Sequence, residues 1–525
     1  MNRQVFATPP APVADTRNTA GAPAYSLTNE MALLQLATTG VFNDTYYVSA
    51  EKQLATVLQL CGELPTEWIA RVAIYARQRG LMKDMPALLV AYLSTRPEKD
   101  IFHYTFDQVI DNIGMARNFV QVIRSGTVTR KSHGTAPKKA VARLLNRLSA
   151  DKVFFQSAGT EPSLADVIRL THPKPLDAEH DALFGYLLDK QYQFANLPAS
   201  VRAFEDFKAG RSTEIPNVDF RRLTALPLSD EQWMRIGFGM TWNQLRMNLN
   251  TLARHNCFKS PEFTSFVATR LRDVESIAKL KVLPFALYSA IQALDPEVPA
   301  TVRASLGFAL DQTYLNAPKM GGDTLILVDS SGSMVSNRVT GNRGSATTDL
   351  TCVTAASFFA ASLFKTDPDH VTVIPFDTTV HPITLNPRDS VESITKVLAR
   401  NGGGTDVSCG IRWATNQQRH WSNILIISDN ESWFDGRGRD PYARMGQDRR
   451  TATAAEWNTY KRAAGTQARL ACWDLVPNTT TQVKDDRSVL NIGGFSESVY
   501  DVVADFFSGT TQDALRARLN GIPVR

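Results

Sequence analysis

Carboxylate and hydroxyl side chains group at three places in the C-terminal part of the sequence. The segment 329–333 (DSSGS) has a D-x-S-x-S pattern, the Gly-rich segment 401–406 (NGGGTD) contains a threonine, and the apolar run 423–427 is followed by a serine and an aspartate. Mg²⁺ prefers oxygen ligands in an octahedron and usually keeps some of its water molecules. We therefore predict a divalent-cation site, with Mg²⁺ as the preferred ion, whose ligands are Asp329, Ser331, Ser333, Thr405 and Asp429.

Taken alone, the D-x-S-x-S pattern has an equally good structural explanation. Short patterns of common residues occur by chance, and Ser and Asp favour turns that cap a following helix. The prediction of a cation site therefore depends on the combination of all three segments rather than on the first one.

The residues around these segments indicate how they are positioned. Runs of Leu, Ile and Val are typical of strands that are buried on both faces of a parallel sheet, and open α/β sheets place their sites at the carboxyl ends of such strands. We predict strands at 324–328, 371–376, 424–427 and 470–475, and helices at 350–365, 391–400, 408–419, 454–464 and 498–507. This alternation predicts a doubly wound, mostly parallel α/β sheet.

The preceding part of the chain has a different texture. Residues 1–25 are rich in Pro and small residues, and we predict a disordered arm there. From residue 26, apolar residues recur at helical spacing in short segments, which favours a HEAT-like array of helix pairs. A Pro/Gly-containing connector begins at residue 316. The predicted domains are thus an arm at 1–25, a helical module at 26–315 and the α/β domain at 316–525.

Composition narrows the class of protein. No apolar run is long enough to span a bilayer, and the first 25 residues lack the apolar core of a signal peptide. The five cysteines are far apart and form no C-x-x-C pair, which argues against a zinc site or a disulfide framework. We therefore expect a cytoplasmic protein, a monomer, with no membrane association.

Charge is distributed unevenly within the helical region. Between Asp111 and Asp151 there is no carboxylate, although the formal net charge of the whole chain is only +5. Within this interval, 138–149 (KKAVARLLNRLS) has the apolar spacing of a helix that carries basic residues on one face, and the loop before it is also basic. A charge run is often only a solvated face, but such faces normally mix signs, so we predict a phosphate-binding surface for nucleic acid. Its residues are Arg130, Lys131, His133, Lys138, Lys139, Arg143 and Arg147.

These motifs together resemble a known family. Asp329, Ser331 and Ser333, with Thr405 and Asp429, are similar to the metal-ion-dependent adhesion site of von Willebrand factor A domains. A helical module followed by such a domain resembles the Ro autoantigen family, the TROVE-module RNA-binding proteins, in a bacterial form. The segments that carry this second resemblance are 45–47 (TYY), 166–175 (DVIRLTHPKP), 283–285 (LPF), 329–334 (DSSGSM), 403–406 (GGTD), 428–431 (SDNE) and 494–495 (GF).

The resemblance implies a specific kind of function. It implies helical repeats folded into a ring that the A domain closes, a central hole for single-stranded 3′ ends of misfolded RNA, and a basic outer surface for small non-coding Y-like RNA. It also implies a partnership with a 3′-to-5′ exoribonuclease, an RNA-binding role for His172, and an open coordination position on the metal ion for an acidic group of a partner.

The sequence departs from the family pattern in two places. Residues 154–160 (FFQSAGT) lack an expected basic pair, so the RNA contacts are expected at Arg130, Lys131, Lys138 and Lys139 instead. The insertion at 435–450 is longer than the resemblance implies, which leaves the partner face of the A domain open.

Two other functions are compatible with the same residues. A metal-dependent RNA hydrolase would use the cation site, but the cluster offers no His base, and phosphodiester cleavage commonly uses two metal ions about 3.5 to 4 Å apart. A protein-only adaptor would bind an acidic partner residue through the A domain and would use its helices as structure. We favour the non-catalytic RNA-binding function over both.

Overall fold

The computed structural model describes residues 12–40, 49–129, 131–158, 162–280, 282, 284–339, 350–432, 451–465, 467–476, 478–495, 498–509 and 512–525. Arg130, the segment 45–47, Leu283 and the insertion at 435–450 lie outside these ranges. The chain divides into two compact units, each made of separate stretches. The first comprises Met1–Leu60, Arg272–Ala293 and Arg303–Gly521, and the second comprises Cys61–Leu271, Leu294–Val302 and Ile522–Arg525.

Helices make up the N-terminal region, as predicted. Helices α1 to α18 are Asn29–Thr39, Ala50–Glu63, Thr66–Gln78, Asp84–Leu93, Lys99–Val109, Ile113–Ser125, Thr135–Arg147, Ala150–Gln156, Leu164–Thr171, Ala178–Leu188, Ala199–Lys208, Phe220–Leu223, Asp230–Gly239, Trp242–Arg254, Pro261–Leu271, Val274–Leu280, Pro284–Gln292 and Ala300–Gln312. In the second unit each helix packs on near neighbours in sequence, for example α3 on α4 and α5, and α7 on α5 and α9. This local packing is typical of helical repeats.

Residues 12–25, for which the composition predicts disorder, are instead ordered. Strands β1 (Thr16–Arg17) and β2 (Pro23–Ser26) pair with each other, and β2 also pairs with β7 (Thr480–Thr481). The cause is Tyr25, which is fully buried in the hydrophobic core of the first unit and donates its hydroxyl hydrogen bond to the Pro12 carbonyl. The burial of Tyr25 and the pairing of strand β2 with β1 and β7 thus order a segment whose composition predicts disorder.

The C-terminal region is a doubly wound α/β domain, which confirms the predicted fold class. Strands β3 to β6 and β8 are Thr324–Asp329, Val371–Phe376, Asn423–Ser428, Arg469–Asp474 and Val489–Gly493. They form one sheet in the order β4-β3-β5-β6-β8, and every neighbouring pair is parallel. Helices α19 to α25 are Gly332–Ser336, Cys352–Thr366, Val391–Leu398, Ser408–Thr415, Ala452–Ala464, Ser498–Phe507 and Gln512–Asn520.

Side chains from both faces of this sheet are buried. On one face, Leu325 and Leu327 join a core that includes residues of α22 and α23. On the other face, the Trp473 ring stacks on Phe359 of α20 with 4.5 Å between centroids and meets Tyr500 of α24 edge to face. The strands are therefore covered on both sides, as continuous apolar runs predict.

The described residues contain no helix that is long and apolar enough to cross a membrane. All five cysteines are buried and free.

Candidate functional site

The three predicted segments meet at the carboxyl edge of the parallel sheet. Strand β3 lies between β4 and β5, so the D-x-S-x-S turn that leaves β3 is next to the end of β5. The Ser428 hydroxyl at the end of β5 donates a 2.6 Å hydrogen bond to Asp329 Oδ2. Asp429 is the next residue, so the topology places the first and last predicted ligands at neighbouring strand ends.

The D-x-S-x-S turn is held by its own first carboxylate. The backbone N–H of Ser331 donates to Asp329 Oδ1 at 2.8 Å, and the hydroxyls of Ser331 and Ser333 are 3.2 Å apart. The Ser333 hydroxyl also hydrogen-bonds the Asp429 carboxylate. Ser331 stands at the N-cap of α19, but its side chain makes no capping hydrogen bond. Helix capping therefore does not explain this hydroxyl.

The Gly-rich segment packs directly on this turn. Gly402 N–H donates to the Ser330 carbonyl at 2.8 Å, and Gly332 N–H donates to the Gly403 carbonyl at 2.8 Å. A Cβ atom at Gly402 would lie 2.6 Å from the Ser330 carbonyl oxygen, so the close approach requires glycine. This contact brings the loop of Thr405, which is itself buried, to the D-x-S-x-S turn.

We call Asp329, Ser331, Ser333, Thr405 and Asp429 the cation-site cluster, and its two carboxylates lie close together away from solvent. Asp329 and Asp429 are both 0% exposed. Burial, together with the charge of Asp429, raises the pKa of Asp329 above its ordinary value. Burial and the charge of Glu431 also raise the pKa of Asp429, although the Ser333 hydroxyl opposes this rise.

One oxygen of the cluster has no partner. Asp429 Oδ2 is buried and makes no hydrogen bond with any residue that the structure describes. An unpaired buried charge is costly unless a metal ion or a counter-charge compensates it. Among the described residues, no group of three or more His, Cys, Asp or Glu side chains could hold a metal ion, so a cation here would depend on hydroxyl ligands. Two carboxylates and three hydroxyls fit a hard ion such as Mg²⁺.

A second layer of contacts around the cluster was not predicted from the sequence. Glu431 is buried, and its carboxylate accepts hydrogen bonds from the Thr19 hydroxyl at 3.1 Å and from Ala20 N–H at 3.3 Å. Asn18 Nδ2 donates to the Ser432 carbonyl at 2.8 Å, and the Ser432 hydroxyl donates to the Thr405 carbonyl at 3.4 Å. The N-terminal segment (residues 12–27) thus fixes the loops that carry Asp429 and Thr405.

Helix α7 carries most of the predicted nucleic-acid contacts. It spans Thr135–Arg147, slightly earlier than the predicted 138–149, and it buries Val141, Leu144 and Leu145. The opposite side carries Lys139, Arg143 and Arg147, which are spaced four residues apart. We define the basic face as these three residues together with Lys138, which precedes them in the first turns of the helix. Lys139, Arg143 and Arg147 are exposed, and Lys138 is half-buried. Spacing alone thus predicted the side of the helix on which the basic residues lie.

The basic face is less uniformly positive than the sequence interval indicates. Asp107 of α5 lies against it, 2.9 Å from Arg143 and 4.0 Å from Arg147. Asp107 lies four positions before Asp111, just outside the carboxylate-free interval. Because α5 packs on α7, this carboxylate nevertheless lies beside the basic face. Lys138 and Lys139 make no ion pair with a carboxylate within the described ranges.

The loop before α7 gives a mixed result. His133 is only 5% exposed, and its Nε2 atom is 3.3 Å from the Val120 carbonyl, so its side chain is not part of the exposed basic surface predicted for this loop. A histidine side chain can be buried when a backbone carbonyl satisfies its ring nitrogen. The basic residues next to His133 in the chain do not indicate this burial. Lys131 is exposed, and its methylene groups lie beside Gly126 at the end of α6.

His172 ends helix α9 in a left-handed conformation, with φ of 49° and ψ of 56°, and its side chain is exposed. The loop that follows it is tied to α7, because Asn146 Nδ2 donates to the Lys174 carbonyl at 2.9 Å. The structure therefore places the His172 loop beside the C-terminal half of α7.

Comparisons with known proteins agree on one family. Residues 324–507 match the family model described as the Ro60 vWA domain. The protein named RNA-binding protein RO60 from Deinococcus radiodurans is 26% identical over 460 residues, which cover 79% of this chain and 83% of that protein. The crystal structure of the Deinococcus radiodurans RO (RSR) protein covers 92% of this chain and 100% of its own, with a TM-score of 0.61 and 20% identity. The structural match supports the fold alone.

Proposed function

We propose that this chain is a member of the Ro family, which its matches to the Ro60 vWA domain and to the Deinococcus relative support, and that it is a non-catalytic RNA-binding protein. Its proposed ligands are small non-coding Y-like RNAs and the single-stranded 3′ ends of misfolded RNA. Its proposed role is RNA quality control, as a chaperone or as an adaptor for a 3′-to-5′ exoribonuclease. The printed name of the Deinococcus relative supports RNA as the ligand. We also propose a cytoplasmic location, because its free, buried cysteines suit a reducing compartment.

The observation that carries this proposal is the basic face of α7. Its charged groups stand on one side of a helix whose other side is buried in the second unit. Lys138 and Lys139 lie in the first turns of α7, where free N–H groups and the helix dipole also attract phosphate. Contacts of this kind position the RNA backbone and do not depend on base sequence.

Reversing two of these charges tests the proposal. We expect Lys138→Glu with Lys139→Glu to weaken binding of a labelled structured RNA by at least about tenfold, because two phosphate contacts become repulsive. The slope of log K against log salt should flatten by about two, since each phosphate contact contributes roughly 0.7 to 0.9. Fluorescence anisotropy titrations at several salt concentrations give both values.

The matched control makes the same chemical change elsewhere. Lys259 and Lys279 are exposed, and Lys259→Glu with Lys279→Glu alters net charge equally. This control should change RNA affinity by less than about threefold, because it removes only long-range attraction that salt screens. Equal losses in both double variants, or no loss in either, would contradict a specific contact at α7.

We further propose that the cation-site cluster binds one divalent ion, Mg²⁺ or a similar hard cation. Asp329, Ser331, Ser333, Thr405 and Asp429 would hold it, directly or through water. The ion would offset the repulsion between the two buried carboxylates and would offer a remaining coordination position to an acidic group of a partner. The unpaired Asp429 Oδ2 atom supports this proposal.

The alternative of a metal-dependent RNA hydrolase has a direct test. The hydroxyls of Ser331 and Ser333 lie 3.2 Å apart beside Asp429, and no His belongs to this group of residues, which favours a ligand role for the two serines. Purified protein incubated with Mg²⁺ and end-labelled RNA should leave the RNA intact. Degradation that Asp329→Ala abolishes would establish the hydrolase and remove the non-catalytic proposal.

A further inference from the structure

Three arginines from distant parts of the sequence meet in the second unit. Arg117 lies on α6, and Arg221 and Arg222 lie on α12, and they surround the end of α8. The Arg222 guanidinium stacks over the Phe154 ring, 4.1 Å from its centroid, and Nη2 donates a 2.5 Å hydrogen bond to the Ser157 hydroxyl. Arg117 Nη1 donates a long bond of 3.5 Å to the Ala158 carbonyl. We call Arg117, Arg221 and Arg222 the arginine cluster.

Among the described residues, a hydrogen-bonded carboxylate balances only one of the three charges in the arginine cluster. Asp219 pairs with Arg221 through both oxygens, at 2.9 Å and 2.8 Å. Arg117 makes no ion pair with any carboxylate in the described part of the chain, and the positive charge of Arg221 acts on it. Burial and then the charge of Arg221 lower the pKa of Arg117. Two neighbouring guanidinium groups thus repel each other at a partly desolvated position.

Arg222 adds an unused donor to the same place. Its Nε–H group is buried and has no hydrogen-bond partner among the described residues. Burial is the main influence that lowers the pKa of Arg222. Glu205 acts on Arg222 through space, but its carboxylate already accepts a 2.6 Å hydrogen bond from the Tyr186 hydroxyl and lies 3.5 Å from Lys208 Nζ. The cluster therefore has spare donors as well as excess positive charge.

A phosphate group matches these properties. Guanidinium groups present several N–H donors in a rigid fork that fits phosphate oxygens, and stacking on Phe154 fixes one such fork. A bound anion would offset the repulsion between Arg117 and Arg221. The cluster is also open to a large ligand, since the Arg221 side chain is 52% exposed.

We propose that Arg117, Arg221 and Arg222 form a phosphate-binding site that holds a backbone phosphodiester of the RNA. This site is separate in sequence from the basic face of α7, and the inference rests on the proposed RNA-binding function. Helix α9 packs against both α6 and α7, so the two sets of cations belong to one run of neighbouring helices. One polyanion, rather than a free phosphate ion, is the ligand that such neighbouring sites fit.

Two substitutions with opposite expected effects test the site. Arg117→Gln removes one unpaired cation, and we expect RNA binding to weaken about fivefold and the salt slope to fall by about one. Asp219→Asn removes the competing carboxylate and frees Arg221, and we expect binding to tighten about threefold and the slope to rise. Asp219 caps α12 by accepting from Arg221 N–H, and Asn caps a helix equally well. Arg117→Lys should retain the slope, because it keeps the charge.

The control is Arg235→Gln. Arg235 is an exposed arginine of α13 that pairs with Glu231, and its loss should change RNA affinity by less than about twofold, as expected for a screened surface charge. Circular dichroism melting of each variant separates a loss of binding from a loss of folding. If Arg117→Gln does not fold, Arg117→Lys and Asp219→Asn still decide the question.

The outcomes separate this inference from the proposed function. If the wild-type protein does not bind RNA, the proposed function fails. If the wild type binds RNA and the α7 double reversal weakens binding, but Arg117→Gln and Asp219→Asn leave affinity and slope unchanged, only the arginine site is overturned. Titration with inorganic phosphate provides a second arm. A change in phosphate affinity without a change in RNA affinity would assign the cluster to free phosphate and overturn the RNA contact.

Discussion

The cation-site cluster and the basic face of α7 belong to different compact units, and they hold their charges in opposite ways. Asp329 and Asp429 are fully buried, whereas the side chains of Arg143 and Arg147 are 42% and 47% exposed. Buried like charges destabilise the fold until a counter-ion arrives, while exposed charges act on a ligand through a field that salt screens. The first region should therefore report on its ligand through stability, and the second through affinity.

The largest effect is expected from breaking the cation-site cluster alone. Gly402→Val would place a side chain against the Ser330 carbonyl, and we expect a loss of about 3 kcal/mol in the free energy of unfolding, because this backbone contact cannot yield. RNA affinity should not change. Urea denaturation and anisotropy titration measure the two quantities.

The matched control is Gly403→Ala, since a Cβ atom there would meet no heavy atom within 4 Å. This variant should lose less than about 1 kcal/mol. Loss of RNA binding in Gly402→Val at a temperature where the protein is folded would show that the two regions are not independent.

The next largest effect is expected from adding Mg²⁺, which should change the stability of the unit that holds the cation-site cluster. If Mg²⁺ binds the cluster, a concentration of 100 times Kd would stabilise the fold by about 2.7 kcal/mol and raise Tm by about 5 °C. Asp429→Asn should abolish this increase. In EDTA the variant should be at least as stable as the wild type, because the repulsion between two buried carboxylates is gone. A full Mg²⁺ response in Asp429→Asn would contradict the assigned ligands.

A smaller effect should sharpen the description of the basic face. Asp107→Asn frees Arg143 and Arg147, and we expect RNA binding to tighten about threefold with no change in the Mg²⁺ response. Asp206→Asn is the control. Asp206 lies on α11 and pairs with the exposed Arg211, which follows the end of that helix. Identical tightening in both variants would mean that only net charge matters.

The smallest effect concerns the helix that ends at His172. Asp166 forms a capping box with Ser163 at the start of α9, and Asp166→Ala should cost about 1 kcal/mol. The hydrogen bond from the Ser163 hydroxyl is the main cause that lowers the pKa of Asp166. A carboxyl with a lowered pKa stabilises the fold above its unfolded pKa, near 3.9, and loses this contribution as pH falls through the lower folded value.

The stability difference between the wild type and Asp166→Ala should therefore be constant near neutral pH and shrink below about pH 3.9. Urea titrations across this range measure it. A difference that grows in acid would contradict the assigned cap.

Local patterns predicted the parallel sheet well. Strands β3 to β6 agree with their predicted bounds to within about one residue, because the centre of each is mainly apolar. Strand β8 was missed because Asn491 and Gly493 interrupt its pattern. The Asn491 amide is satisfied by the Val483 carbonyl and the Asp485 carboxylate, contacts that only the folded chain creates.

The candidate sites show the same difference between local sequence patterns, which could be predicted, and long-range contacts, which could not. The residues of the cation-site cluster lie in short motifs at the ends of predicted strands. Because the sheet topology brings these strand ends together, the proximity of the residues could be predicted from the sequence. Glu431 was missed because its partner Thr19 is 412 positions away. The charge of the basic face was overestimated because Asp107 approaches it through helix packing. The arginine cluster could not be predicted as a unit, because Arg117 lies in the carboxylate-free interval whereas Arg221 and Arg222 are about 100 positions later and approach it only in the fold.

The N-terminal segment has a consequence for the order in which the protein is made. Tyr25 pairs with Thr481, so strand β2 cannot complete its ladder until a strand about 450 residues later in the sequence has been synthesised. The helices between residues 61 and 271 are synthesised in between and are able to form on local contacts. The N-terminal segment therefore secures the cation-site loops late, after most of the second unit has been synthesised.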